Sequence, residues 1–161
     1  MAGRIYASLG QASQAKALAD GLSKELQIES QVYGQLIEGE IALQSKDARA
    51  AIKLFSDSNT LLDTWIGRFS LGRAYVEAGA FVEADSEFDR CIKRRGEALS
   101  LLVDEEPTYG YFPTVYYYQG LVREGLKNPA FAQSYGEYLT IRGRSTEDPI
   151  LSDVRRRAAR N

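Results

Sequence analysis

Leu71-Gly72-Arg73-Ala74-Tyr75-Val76-Glu77-Ala78-Gly79-Ala80-Phe81-Val82-Glu83-Ala84-Asp85-Ser86-Glu87-Phe88 decides the fold. Gly79 divides it into two helical runs, with Leu71, Gly72 and Tyr75 before the break and Phe81, Ala84 and Phe88 after it. Small residues such as Gly72 and Ala84 let two antiparallel helices close on each other, while the large ones fill the space beside them. The pattern has an echo upstream: Ile37, Ile41, Ala50 and Leu54 recur 34 positions later as Leu71, Tyr75, Ala84 and Phe88. A unit that recurs at such a period is one supersecondary element stacked on its neighbours.

Working outward, strand signals are nearly absent and helix punctuation is frequent. The sequence predicts helices at about 2–9, 12–27, 31–44, 48–60, 65–78, 81–103, 114–127, 130–142 and 149–159. Gly10, Gly79 and Gly143 stand where helices end in a left-handed residue, and Asp47 and Thr64 are N-cap candidates. Pro107, Pro113, Pro129 and Pro149 fall at helix starts or in loops, as their missing N–H requires. Tyr6, Gly10 and Ala15 reproduce the spacing of Tyr75, Gly79 and Ala84, so 1–27 reads as a partial repeat with a shortened first helix. Downstream, Phe131, Ser134, Tyr138 and Ile141 match Phe81, Ala84, Phe88 and Cys91 at an offset of 50, which leaves 16 extra residues, mostly between 98 and 113. The resulting organisation is a single domain over 1–161, with repeats at 31–60, 65–103 and 114–142 and a capping helix at 149–159.

On these residues the chain resembles the tetratricopeptide repeat (TPR) superfamily over about 2–142. The resemblance implies an all-α, right-handed superhelical stack of antiparallel helix pairs. The 65–92 unit carries the pattern most fully. In the 31–60 unit Glu38 stands for the usual glycine and Asp47 for the usual aromatic residue. Trp65 lies three residues before the family's tryptophan position, which Arg68 occupies, and Gly96 replaces the repeat-ending proline. More narrowly, Cys91–Leu99, Pro107–Pro113 and Tyr116-Tyr117-Tyr118 look like the C-terminal TPR region of large bacterial signalling proteins, some with an N-terminal Ser/Thr kinase domain. The kinase motifs themselves, a G-x-G-x-x-G loop, Asp-Phe-Gly and His-Arg-Asp, are not in the sequence.

Composition narrows the chemistry. With 161 residues, 44% hydrophobic content and a net charge of -2, the chain is long enough for a continuous core and has no global basic bias towards nucleic acid. It contains no histidine, the commonest general base and transition-metal ligand, and its one cysteine, Cys91, reads as a small packing group. Asp104, Glu105 and Glu106 are adjacent loop carboxylates, not a spaced acid–base pair, and calcium-loop spacing is missing. The expectation is therefore no catalytic residue, no cofactor and no metal. No apolar run approaches a membrane span, and Met1-Ala2-Gly3-Arg4 lacks a secretory core, which points to the cytoplasm.

In stacked helix pairs the first helices line the concave surface. Helical stepping from Trp65 brings Phe69, Arg73 and Glu77 to that groove, with Gln35, Gly39 and Leu43 from the preceding repeat and Tyr117 and Leu121 from the following one. The set combines aromatic, apolar and charged groups, suited to an apolar anchor and an Arg–carboxylate contact. Phe69 and Tyr117 could instead pack on a neighbouring helix. A chaperone-type carboxylate clamp needs a Lys/Asn set, whereas the matching positions carry Gln35, Gly39, Phe69 and Arg73. Tyr109, Tyr111, Phe112, Tyr116, Tyr117 and Tyr118 put six rings within ten residues, mostly for packing, with one tyrosine left to the groove. Of two basic clusters, Arg90–Arg95 and Arg155–Arg160, the second suits a solvated capping helix better than a phosphate surface. The function expected is a non-catalytic protein-interaction module binding a peptide or helix. Its rivals are an accessory segment of a multidomain signalling enzyme and a self-association module. A homo-oligomer through the N-terminal helices, or sequence upstream of Met1, would cover Leu18, Leu22 and Leu26.

Overall fold

The structure, a computed structural model, describes residues 2–98 and 110–159. The expected run of the long helix to Val103 and the loop residues Asp104–Tyr109 lie outside the described residues, as does Arg160. All secondary structure described is helical. The chain divides into two units, Met1–Ala80 and Phe81–Asn161.

The first unit contains α1 (Ala2–Ser8), α2 (Ala12–Leu22), α3 (Ile28–Gln44), α4 (Ala48–Leu61) and α5 (Trp65–Glu77). The long α3 is its centre and packs on each of the other four. Ala7, Ala15, Ala19 and Ile37 form one core cluster, with Leu22 and Ile41 packed against it. The expected caps are in place: the Asp47 side chain accepts from the Ala50 N–H at 2.9 Å, and Thr64 Oγ1 accepts from the Gly67 N–H at 3.0 Å. Each answers one of the orphan donors that every helix start exposes. α2 ends five residues earlier than its apolar stripe predicts. Ser23, Lys24 and Glu25 turn back on Ala19, Gly21 and Leu22 through their backbone N–H groups, and the chain leaves the helix there. Leu26 is consequently off the stripe and 95% exposed.

The second unit contains α6 (Phe81–Lys93), α7 (Arg95–Ala98), α8 (Phe112–Gly125), α9 (Phe131–Arg142) and α10 (Leu151–Ala158). α8 packs on α6 and α9, and α10 packs on α9. The predicted continuous helix from 81 is broken at Arg94, whose guanidinium folds onto Glu97 through two bonds of 2.7 and 2.6 Å. Leu151 and Val154 of α10 are buried against Tyr135 and Tyr138 of α9.

One turn recurs at the ends of α1, α3, α5 and α8. Gly10, Lys46, Gly79 and Lys127 all have positive φ, between 54° and 73°. The N–H of each bonds to the carbonyl three residues back, and the next N–H bonds to the carbonyl five residues before it. This paired pattern is the Schellman turn, which satisfies the last carbonyls of a helix and reverses the chain. Gly143 was expected to do the same for α9 but has φ −60°, so that helix ends without a left-handed residue.

Seven residues before each left-handed residue stands a buried glycine: Gly3, Gly39, Gly72 and Gly120. A Cβ at Gly39 would overlap the Phe55 ring, and one at Gly120 the Tyr135 ring. Gly39 thus lets α3 close on α4 and Gly120 lets α8 close on α9, while a Cβ at Gly3 would meet Ile37 of α3. The turns also correct the register between the second and third pairs. Lys46 and Gly79 are 33 residues apart, not 34. Gly39 is therefore the counterpart of Gly72, and Glu38 does not replace a glycine. The buried Ala51 and Phe55 correspond to Ala84 and Phe88, in place of the half-buried Ala50 and Leu54.

Candidate functional site

The corrected register puts Arg4, Glu40 and Arg73 at one position of three first helices, each six residues before its turn residue. They meet in the first unit. Arg73 Nη1 lies 2.7 Å and Arg4 Nη2 3.2 Å from the same oxygen, Glu40 Oε1, and Ser70 Oγ donates to it at 3.4 Å. Glu40 is only 4% exposed and Arg4 6%, while the Arg73 side chain keeps 21% of its surface. Burial by itself pushes the Glu40 carboxyl up. The guanidiniums of Arg73 and Arg4 outweigh it and hold the group below the usual carboxylate range.

The ladder also orders its surroundings. Arg73 sits over the Phe69 ring at 6.0 Å, and that ring stacks on Trp65 at 5.5 Å with only 12° between planes. Phe69 is 1% exposed, so of its two expected roles, groove contact and packing, the structure shows packing. Its counterpart in α3 is the fully buried Leu36, not Gln35. Gln35 is half-buried, and its Oε1 is enclosed without a hydrogen-bond partner. Glu77 is exposed and accepts from Lys46 Nζ at 2.9 Å, tying the last turn of α5 to the turn that follows α3.

Tyr117 and Leu121 belong to the second unit and are both half-buried on α8. Tyr117 donates its hydroxyl to Asp153 at 3.0 Å and lies beside Tyr118 and Tyr138. Burial and the Asp153 carboxylate raise its phenol to about 12. Asp153 also accepts from Arg157 at 2.8 Å and pairs with Arg156. Arg157 reaches on to Glu124 at 2.7 Å, where Tyr135 donates at 2.9 Å. Arg155 donates to the Gly143 carbonyl at 2.7 Å. Arg155 and Arg156 remain exposed, as expected of a solvated capping helix, while Arg155 and Arg157 latch α10 to the rest of the unit. Sequence reading missed this because the acceptors come from α8 and the α9–α10 loop. Tyr138 similarly donates to Asp148 at 2.6 Å, and burial with that bond holds its phenol well above the ordinary range.

Tyr109 lies outside the described residues, and Phe112, Tyr116 and Tyr118 serve packing. Phe112 is buried and meets Tyr116 edge-on at 5.5 Å, and Tyr118 stacks on Phe88 at 5.8 Å. Cys91 is buried on α6. Among the described residues no group of three or more potential ligands is placed to hold a metal ion. None of the described helices is long and apolar enough to cross a membrane. No protein-family model matches the chain, and neither does any curated protein or solved structure.

Proposed function

We propose that this chain is a non-catalytic, cytoplasmic protein-interaction module: a right-handed superhelix of TPR-like pairs that takes a peptide or helix on the face of its first helices. The observation that carries the reading is the Arg4–Glu40–Arg73 ladder. It places three first helices of one unit in repeat register and leaves Arg73, over a rigid aromatic stack, as the member with surface to spare. A partner carboxylate meeting Arg73 gains a charge-assisted bond from a side chain whose freedom is already restricted. Gln35 and Glu77 would add polar contacts on the first unit, and Tyr117 and Leu121 would line the corresponding face of α8 within the second. With Phe69 buried, the apolar anchor of the complex has to come from the ligand's fit and not from that ring.

Peptides selected from a random display library against the full chain test the reading. The selected sequences should be rich in Asp or Glu and should shift amide resonances of α3 and α5. They should also lose about tenfold or more in affinity to Arg73→Gln. Selected peptides that bind Arg73→Gln as well as the parent would overturn it. A second reading, self-association, is favoured by the exposed apolar side chains of Ile5 on α1, Leu9 in the turn after it and Leu18 on α2. The accessory-segment reading rests on the sequence resemblance to bacterial signalling proteins.

A further inference from the structure

The second unit holds an open cavity of about 440 Å³ between α6, α8 and α9, with Arg95 of α7 at its edge. That volume lies in the range of small-molecule pockets, roughly 300–1,000 Å³, and near its lower end. Its floor is polar and ordered. Gln119 and Ser134 are 3% and 1% exposed. Arg123 donates through Nε to Asp85 at 3.1 Å and through Nη1 to Ser134 Oγ at 3.0 Å. Ser134 Oγ lies 3.1 Å from Gln119 Oε1 and, having accepted from Arg123, donates to it.

This relay decides how the Gln119 carboxamide is turned. A hydroxyl has one proton to give, and Gln119 Oε1 at 3.1 Å is a nearer acceptor for it than the Ala130 carbonyl at 3.4 Å, so the amide oxygen faces Ser134. The nitrogen is left to face the cavity that Gln119 lines, and it makes no hydrogen bond within the protein. A donor turned to the cavity and left without an acceptor in the protein offers a ligand oxygen a hydrogen bond.

The charges around the floor fall into two sets. Asp89 is paired with Lys93 at 2.6 Å and Arg123 with Asp85, so these are spoken for. Arg95 and Glu137 line the same cavity, are exposed, and make no ion pair with a described residue. Both act on the hydroxyl of Tyr116. Burial raises that phenol above its ordinary range, Glu137 adds to the effect, and Arg95 opposes it. The two opposite charges therefore stand near one point without neutralising each other. Ile92 and the Tyr116 ring supply apolar wall between them.

We propose that this cavity binds a small zwitterion of the amino-acid or dipeptide class. Its carboxylate is taken on the Arg95 side, its ammonium by Glu137, and a ligand oxygen accepts from Gln119 Nε2. A lone anion would leave Glu137 facing like charge, and a lone cation would leave Arg95 so; a zwitterion answers both. The site uses none of the residues assigned to peptide capture on the first unit, so loss of one activity leaves the other in place.

The test is a titration of the full chain followed by amide resonances, using free amino acids and dipeptides, with N-acetylated and C-amidated forms of each binder. The expected result is saturable shifts at Ile92, Tyr116, Gln119 and Ser134 below about 10 mM, with each blocked form weaker by about tenfold or more. Glu137→Gln should abolish the difference between free and N-acetylated ligand. Arg95→Gln should abolish that between acid and amide. Both side chains are exposed, so the variants keep the fold, which the unperturbed spectrum verifies. The proposal is overturned if no panel member gives saturable shifts at these residues. Blocked ligands that bind as tightly as free ones, or charge variants that leave the preference unchanged, also overturn it.

Discussion

Glu40→Gln is the sharpest test of the ladder, because it changes one charge and almost no volume. In the parent, one buried oxygen accepts from Arg73 at 2.7 Å and Arg4 at 3.2 Å, with Ser70 further off at 3.4 Å. Hydrogen bonds to charged groups are worth about 1.5–3 kcal/mol each, and removing one partner of a buried ion pair costs about 3–5 kcal/mol. The glutamine carbonyl still accepts, so the loss should fall at the lower end, about 3 kcal/mol. That leaves two guanidiniums against a neutral amide in a site Glu40 occupies at 4% exposure. Urea denaturation read by circular dichroism measures the loss, and a double-mutant cycle with Arg73→Met assigns it. The coupling should be about 1–3 kcal/mol. The pH dependence has a definite sign. Since the folded carboxyl is held below its ordinary value, its stabilising effect is full above the unfolded glutamate pKa of about 4.3 and is lost as pH falls through the lower folded value. Glu40→Gln should therefore flatten the acid limb of the stability curve. A loss under about 1 kcal/mol with additive single effects would refute the ladder as a structural element.

Lys127 holds a left-handed conformation at φ 54°, so Lys127→Gly should stabilise by about 0.5–1 kcal/mol, read as a higher melting temperature. Gly39→Ala should destabilise by about 1–3 kcal/mol because its methyl meets the Phe55 ring, whereas Gly136→Ala, on α9 with open space around it, should stabilise by about 0.5–1 kcal/mol. Arg157→Met should release α10, and limited proteolysis between 143 and 150 should accelerate severalfold while the helical signal of the first unit is kept. Tyr117 binds its proton more tightly folded than unfolded, so the stability it contributes is present below about 10 and is lost as pH rises towards about 12. Tyr117→Phe should shift alkaline unfolding accordingly, followed by phenolate absorbance.

Much of the local structure was legible in the sequence because it depends on neighbours in the chain. Asp47 and Thr64 cap their helices, Gly10 and Gly79 turn them, and Ala15 and Ala84 are buried, all from residue type and spacing. What was not legible depends on partners far away in the chain. Nothing near Arg157 announces Glu124, and nothing near Tyr138 announces Asp148, which packing of α8, α9 and α10 brings to them. Helix ends without a glycine were also hidden. Lys46 and Lys127 are left-handed, but a lysine carries no such signal, so two of the four equivalent turns could be found only from backbone geometry.

The hidden turn at Lys46 decides how Arg73 is read. Hydrophobic similarity alone favours an offset of 34, which matches Ile37 to Leu71 and places Gly39 opposite Arg73 as a smooth groove floor around a lone cation. Its spacing to the Gly79 turn imposes 33, which places Glu40 opposite Arg73, with Arg4 at the same position one repeat earlier. The arginine is then one rung of an alternating ladder and is already bonded within the chain. Any partner that uses Arg73 must share it with Glu40 or draw it away, at the expense of a bond the folded unit depends on. Binding at that face is therefore coupled to the stability of the first unit. A ligand that recruits Arg73 without disturbing Glu40 should raise the unit's melting temperature by mass action, and one that competes with Glu40 should show weaker affinity than its contacts imply. Comparing a selected peptide's affinity for the parent and for Glu40→Gln separates the two. Sharing predicts weaker binding to the variant, because the carboxylate no longer positions the arginine. Competition predicts tighter binding, because the arginine has been released.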